Sequence, residues 1–141
     1  MEHIRHYLVI NAPVQKVYEA ITTQEGLSKW WTKETIAKPE QGFLNEFFFG
    51  KDDHQKMRIT QLDANKAVHW TCEEGDPEWV DTKFSFELAE KDGKTILQFA
   101  HKDWREVTDF YASCNYHWGY FMHSLKKLCE TGKGTPYPEV N

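Results

Sequence analysis

Apolar and polar positions alternate with two different periods along this chain. From Phe43 to His101 the repeat is mostly two, the signature of half-buried strands. From Thr108 to Glu130 it is helical. There Tyr111, Cys114, Trp118, Phe121, Leu125 and Leu128 recur at alternating spacings of three and four, and Met122 and Cys129 widen the stripe. That spacing sets them on one face of a helix about 35 Å long, enough to cross a small domain. Thr108 is placed to cap its start, with Asp109 where the helix dipole favours an anion, and Gly132 is placed to end it.

Upstream, His3–Asn11 reads as a strand with Ile4, Leu8 and Ile10 on one face and Tyr7 and Val9 on the other. Asn11-Ala12-Pro13 stops it, and Pro13 suits a first helical turn. Val14, Val17, Tyr18 and Ile21 then predict a short amphipathic helix over Pro13–Thr23. Gln24-Glu25-Gly26 reads as its break, and Leu27–Trp31 as a second helical turn ending in a double tryptophan. Thr32–Gln41 reads as irregular, limited by Pro39 and Gly42.

Strands follow at Phe43–Phe49, Gln55–Leu62, Ala67–Cys72, Trp79–Leu88 and Lys94–His101. In the fourth of these Val80, Thr82, Phe84, Phe86 and Leu88 point inward, and Asp81, Lys83, Ser85 and Glu87 face water. Asp63-Ala64-Asn65-Lys66 and Asp92-Gly93 carry hairpin-turn chemistry. A run of strands followed by a helix argues for α+β: a curved antiparallel sheet of about six to seven strands around the C-terminal helix, with two short helices after the first strand. The tail, Lys133–Asn141, is short and contains proline.

Composition narrows this further. A chain of 141 residues with 40% hydrophobic and 28% charged residues fits one globular domain, here 1–141. A net charge of −5 without a basic block disfavours nucleic acid and anionic lipid as partners. No apolar run has membrane-spanning length, so membrane insertion is not expected. Three cysteines without a CxxC read as reduced, buried thiols of a cytoplasmic protein. Aromatic residues at 15% exceed ordinary core needs. They are core filling alone or, in part, the wall of an apolar pocket.

Three stretches resemble one family. Ile10-Asn11-Ala12-Pro13 with Val14, Val17, Tyr18, Ala20, Ile21 and Thr22 is similar to a strand-to-helix opening. Leu27-Ser28-Lys29-Trp30-Trp31 is similar to an LxxWW turn. Trp118, Leu125, Leu128 and Glu130-Thr131-Gly132-Lys133-Gly134 are similar to a closing helix and its end. Together they resemble the START-like (SRPBCC) superfamily, in the branch related to the C-terminal domain of the heat-shock-protein-90 ATPase activator. The resemblance spans nearly the whole chain. It implies a helix-grip fold with a cavity between sheet and long helix, used in the superfamily for lipids and other apolar molecules.

Candidate walls of such a cavity are Trp31, Phe47, Phe49, Met57, Trp70, Phe84, Phe86, Phe99, Tyr111, Trp118 and Met122, each of which also suits a plain core. On the long helix, the upstream half, Phe110–Met122, is the part expected to meet a ligand. His101 shares a face with Leu97 and Phe99 and is the candidate polar group. Pointing inward it would bond a ligand or act as an acid or base; otherwise it is a satisfied strand-end histidine. His117 and His123 read as surface groups. The seven histidines and three cysteines show no ligand spacing, so no metal or other cofactor is expected. Glu73, Glu74, Asp76, Glu78 and Asp81 read as a solvated acidic loop.

Binding of a small hydrophobic molecule or lipid, by a monomer or homodimer, is the leading expectation. A cyclase- or hydratase-type enzyme using His101 or Tyr111 in the same cavity is one alternative. A module that binds a chaperone, implied by the resemblance, is another.

Overall fold

A computed structural model describes residues 1–138; Glu139, Val140 and Asn141, the end of the proline-containing tail, lie outside the described residues. The elements run β1 (Glu2–Ile10), α1 (Val14–Thr22), α2 (Gln24–Trp30), β2 (Glu34–Ile36) and β3 (Leu44–Phe48). Then come β4 (His54–Asp63), β5 (Ala67–Glu74), β6 (Lys83–Lys91), β7 (Lys94–Trp104) and α3 (Asp109–Thr131). The strands form one curved antiparallel sheet in the order β1-β7-β6-β5-β4-β3-β2. The chain thus has the α+β architecture its periodicities predict and the helix-grip fold the resemblance implies. Register irregularities at Lys56/Met57 and Ile59/Gln61 in β4 bend that strand.

The inner face of the sheet is a layer of rings. Cross-strand neighbours Phe86 and Phe99, Trp70 and Phe84, and Phe84 and His101 all turn inward and are buried. Helix α3 lies beside β1, α1 and α2 and covers this layer. Its stripe is buried as its spacing requires, except that Tyr111 is half-buried. Thr108 Oγ accepts from Tyr111 N at 3.1 Å, and Gly132 ends the helix in the left-handed region at φ 88°. Asp92 (φ 54°) and Gly93 (φ 77°) make the expected hairpin turn.

Four local readings change. Gln24-Glu25-Gly26 does not break the chain but forms the first turn of α2, because Thr23 Oγ1 accepts from Gly26 N at 3.0 Å. Gly26 serves a close helix crossing there: a Cβ on it would lie 2.6 Å from Ala20 Cα. Trp79–Asp81 is a turn rather than strand. Trp79 N and Val80 N both donate to the Asp76 carbonyl, and Asp81 sits at φ 72°. The alternation there continued across a turn because Trp79 is buried for a different reason, given below. Ser85 is buried instead of solvent-facing: it is a small side chain between His69 on β5 and Ala100 on β7, shaded by larger neighbours. The irregular stretch after α2 contains the edge strand β2, paired to β3.

Candidate functional site

Over most of its length the space between α3 and the sheet is full. Trp31, placed at the end of α2, is the hub. Its ring meets those of Phe47 (4.4 Å), Trp118 (5.1 Å), Phe49 (5.3 Å) and Trp70 (5.9 Å). Trp118 in turn meets Phe99 at 4.5 Å, and Phe86 packs against both Trp70 and Phe99 at 5.1 Å. The neighbouring Trp30 stacks on Trp31 at 6.0 Å, and its Nε1 donates to the Ala20 carbonyl at 2.8 Å and ties α2 to α1.

The packing stops at one end. Beside the first three turns of α3 a cleft of about 410 Å³ remains, within the range of small-molecule sites. Helix α3 supplies Phe110, Ser113, Cys114, His117, Trp118 and Phe121 to it. Positions 110, 114, 117 and 121 form a row at spacings of four, three and four, one shoulder of the core stripe. The opposite side comes from Trp31, from Phe49 at the end of β3, and from Asp53 and Gln55 around the start of β4. Trp79 comes from the β5–β6 turn, stacked on Trp118 at 6.1 Å, which is why that turn carries a buried ring.

The last wall is Tyr137. After α3 the chain doubles back. Gly134 passes so close that a Cβ would lie 2.4 Å from the Lys29 carbonyl oxygen. Ser124 Oγ donates to the Trp30 carbonyl at 2.9 Å and accepts from Thr135 N at 2.8 Å. Tyr137 then bridges to Thr32, its N–H donating to the Trp31 carbonyl at 2.8 Å, and its ring meets Phe49 at 5.6 Å.

Of the side chains proposed as walls, Trp31, Phe49 and Trp118 line this cleft. Phe47, Met57, Trp70, Phe84, Phe86, Phe99 and Met122 lie in the filled layer behind it, almost without exposure. Tyr111 packs edge-on against Trp104 at 5.1 Å, away from the cleft. His117, read as a surface group, is exposed and lines the cleft as well; its Nδ1–H donates to the Ser113 carbonyl at 2.8 Å.

His101 is fully buried, and its environment fixes its state. Trp118 Nε1 donates to Nδ1 at 3.1 Å; an indole nitrogen can only donate, so Nδ1 carries no proton. Thr82 Oγ1 gives its own proton to the Trp79 carbonyl at 2.6 Å, so it accepts from Nε2 at 2.8 Å. The ring is therefore a neutral Nε2–H tautomer with both nitrogens occupied, and burial pushes its pKa well below the usual range. It holds Trp118, Thr82 and the Trp79 turn together, and leaves no nitrogen free for acid–base chemistry.

The other polar groups of the cleft are few. Gln55 is buried, with its amide nitrogen on Asp53 Oδ1 (2.5 Å) and its oxygen on Asp76 N (3.1 Å). Gly75 makes room for it: a Cβ there would overlap Gln55 Oε1, and the backbone sits at φ 147°. The Cys114 thiol is pushed up to about 12, first by burial and then by Asp76, Glu78 and Asp53, so it stays protonated and unreactive. All three cysteines are free and buried. Among the described residues no group of three or more His, Cys, Asp or Glu could hold a metal ion. The arrangement is a ring-walled receptacle with one polar flank.

The family described as Activator of Hsp90 ATPase homolog 1-like protein matches residues 11–130. The chain belongs to this family. Among solved structures it is similar to the Aha1 dimer from Colwellia psychrerythraea. The two share 38% identity over 95% of this chain and 100% of that one, with a TM-score of 0.88. Two others share the fold. MLL2253 from Mesorhizobium loti is 18% identical over 90% of this chain and 96% of its own, with a TM-score of 0.80. CalU16 from Micromonospora echinospora is 18% identical over 97% of this chain and 78% of its own, with a TM-score of 0.74. No curated protein matches the chain. Family and fold together are compatible with ligand binding. Among the described residues no helix is long and apolar enough to cross a membrane.

Proposed function

We propose that this protein binds a small hydrophobic molecule in the cleft beside the upstream half of α3, without transforming it. The observation that carries this reading is the cleft itself. A chain that fills the rest of its interior with interlocking rings leaves about 410 Å³ lined by Trp31, Trp79, Phe110, Trp118 and Phe121. His101 is locked neutral and Cys114 is held protonated, so neither supplies a catalytic pair. Free, buried thiols fit a reducing cytoplasm. The test is displacement of an environment-sensitive dye, with native mass spectrometry of the purified protein. Ser113→Phe should plug the cleft from its exposed side, abolishing dye displacement while leaving thermal stability near wild type. Unaltered displacement in that variant would refute the reading.

A second reading concerns partners. The 38% identical relative is described as a dimer, and the family is named for a chaperone activator. Both support a homodimer and, separately, contact with a chaperone. Light scattering at micromolar concentration tests the first, a monomer mass counting against it. Pull-down with the purified chaperone tests the second, and absence of retention counts against it.

A further inference from the structure

We propose that the ligand of the cleft is an organic cation: a ring-sized apolar body carrying an ammonium group that sits at the mouth beside Asp53. This rests on the binding reading above and adds the charge. Tryptophan, tyrosine and phenylalanine faces attract cations as well as apolar surface, and such rings make up most of the wall. Asp53 lies in that wall. A neighbouring depression shares Asp53 and Phe110 with the cleft and adds Asp52, Glu74 and Asp76, together with His54 and Lys56.

Three neighbouring bases pair with other carboxylates, and Lys51, exposed in the same turn, is outside the lining of both the cleft and the depression. Lys56 pairs with Glu74 (3.6 Å), Arg58 with Glu73 (2.9 Å) and His54 with Glu46 (3.0 Å). Asp53 and Asp76 bond only neutral partners, the Gln55 amide and Glu78 N. Among the described residues the base on the cleft wall is His117, whose Nδ1–H is on the Ser113 carbonyl. The carboxylate field reaches the interior, since Asp76, Glu78 and Asp53 all act on the Cys114 thiol in the same direction.

Three matched probes decide the charge: 2-naphthylmethylammonium, 2-naphthalenemethanol and 2-naphthoate, titrated calorimetrically at low salt. The ammonium should bind about tenfold more tightly than the alcohol, and the naphthoate most weakly. Asp53→Asn with Asp76→Asn keeps both acceptor oxygens, so the loop stays intact. It should reduce the ammonium's advantage over the alcohol to less than about threefold. Alcohol or naphthoate binding as tightly as the ammonium would overturn the cation proposal and leave the apolar-ligand reading standing. So would an advantage that survives the double substitution. Binding of none of the three at millimolar concentration would overturn both.

Discussion

The two halves of α3 are built from the same helix and solve different problems. Downstream, Ser124, Leu125, Leu128 and Cys129 are buried, and polar anchors fasten the helix to its surroundings. Ser124 bonds both α2 and the tail, Lys126 Nζ reaches the Val9 carbonyl at 2.5 Å, and Glu130 accepts from Asn11 N at 2.7 Å. Upstream, the row Phe110, Cys114, His117 and Phe121 faces space, and Trp118 is the ring fixed by a hydrogen bond. The difference teaches that the cleft does not come from loose packing of the whole layer. One end is clamped hard enough for the other to stand away from the sheet.

The largest expected effect lies on the clamped side. Leu125 has no exposure, so Leu125→Ala should cost about 3 kcal/mol in urea unfolding, as deletion of a fully buried side chain does. Next is Gly134→Ala. The new Cβ would meet the Lys29 carbonyl oxygen at 2.4 Å and the Ser124 backbone oxygen at 3.0 Å. Both are main-chain atoms that cannot rotate away, so the tail must lift, with a loss of about 2 kcal/mol. If either variant unfolds at the wild-type midpoint, the clamp is misassigned.

The hub between the halves should show in pH dependence. His101 is neutral when folded, with its pKa well below the usual value, while unfolded histidine titrates near pH 6.5. As pH falls through that unfolded value the denatured chain gains a proton and the folded one does not. The stabilisation is therefore fully present above the unfolded value and is lost progressively as pH falls below it. The carboxylates held low, Glu25, Glu73 and Glu130, enter only nearer their ordinary range of about 4.5 and do not obscure this window. Unfolding free energies at pH 7.5 and 5.5, with ¹⁵N spectra showing the Nε2–H tautomer at both, check it. A protonated His101 at pH 5.5 in the folded state would break the hub.

What the sequence made readable was local. The stripe of α3, its caps at Thr108 and Gly132 and the Asp92-Gly93 turn each depend on residues within one or two turns of one another. So does the order of strands, which rests on repeated period-two runs. The cleft is not local. Trp79 reaches it from a turn whose alternation mimics a strand, and Tyr137 by a tail that folds back over α2. Gln55 is placed by a glycine twenty residues later. The state of His101 depends on Thr82 and Trp118, 19 and 17 residues away. Of the row at 110, 114, 117 and 121, Cys114 and Phe121 were legible as part of the core stripe, while Phe110 and His117 lie off it and carry no helical signal of their own.

The smallest stability effect should come from that row, and it is the sharpest test of the comparison. Phe110 is a ring on the same helix as Leu125, and a buried phenylalanine typically costs about 3–5 kcal/mol on truncation. Here it is half-buried, borders empty space and touches the fold mainly through Trp104 at 6.1 Å. Truncation would enlarge an existing cleft already open to water instead of creating a sealed void. Phe110→Ala should therefore cost about 1 kcal/mol or less by urea unfolding. It should weaken dye binding at the same time, because the same ring that does little for the fold forms a wall of the receptacle. A loss of about 3 kcal/mol, equal to that of Leu125→Ala, would mean the upstream half is packed like the downstream half and the cleft is closed in solution.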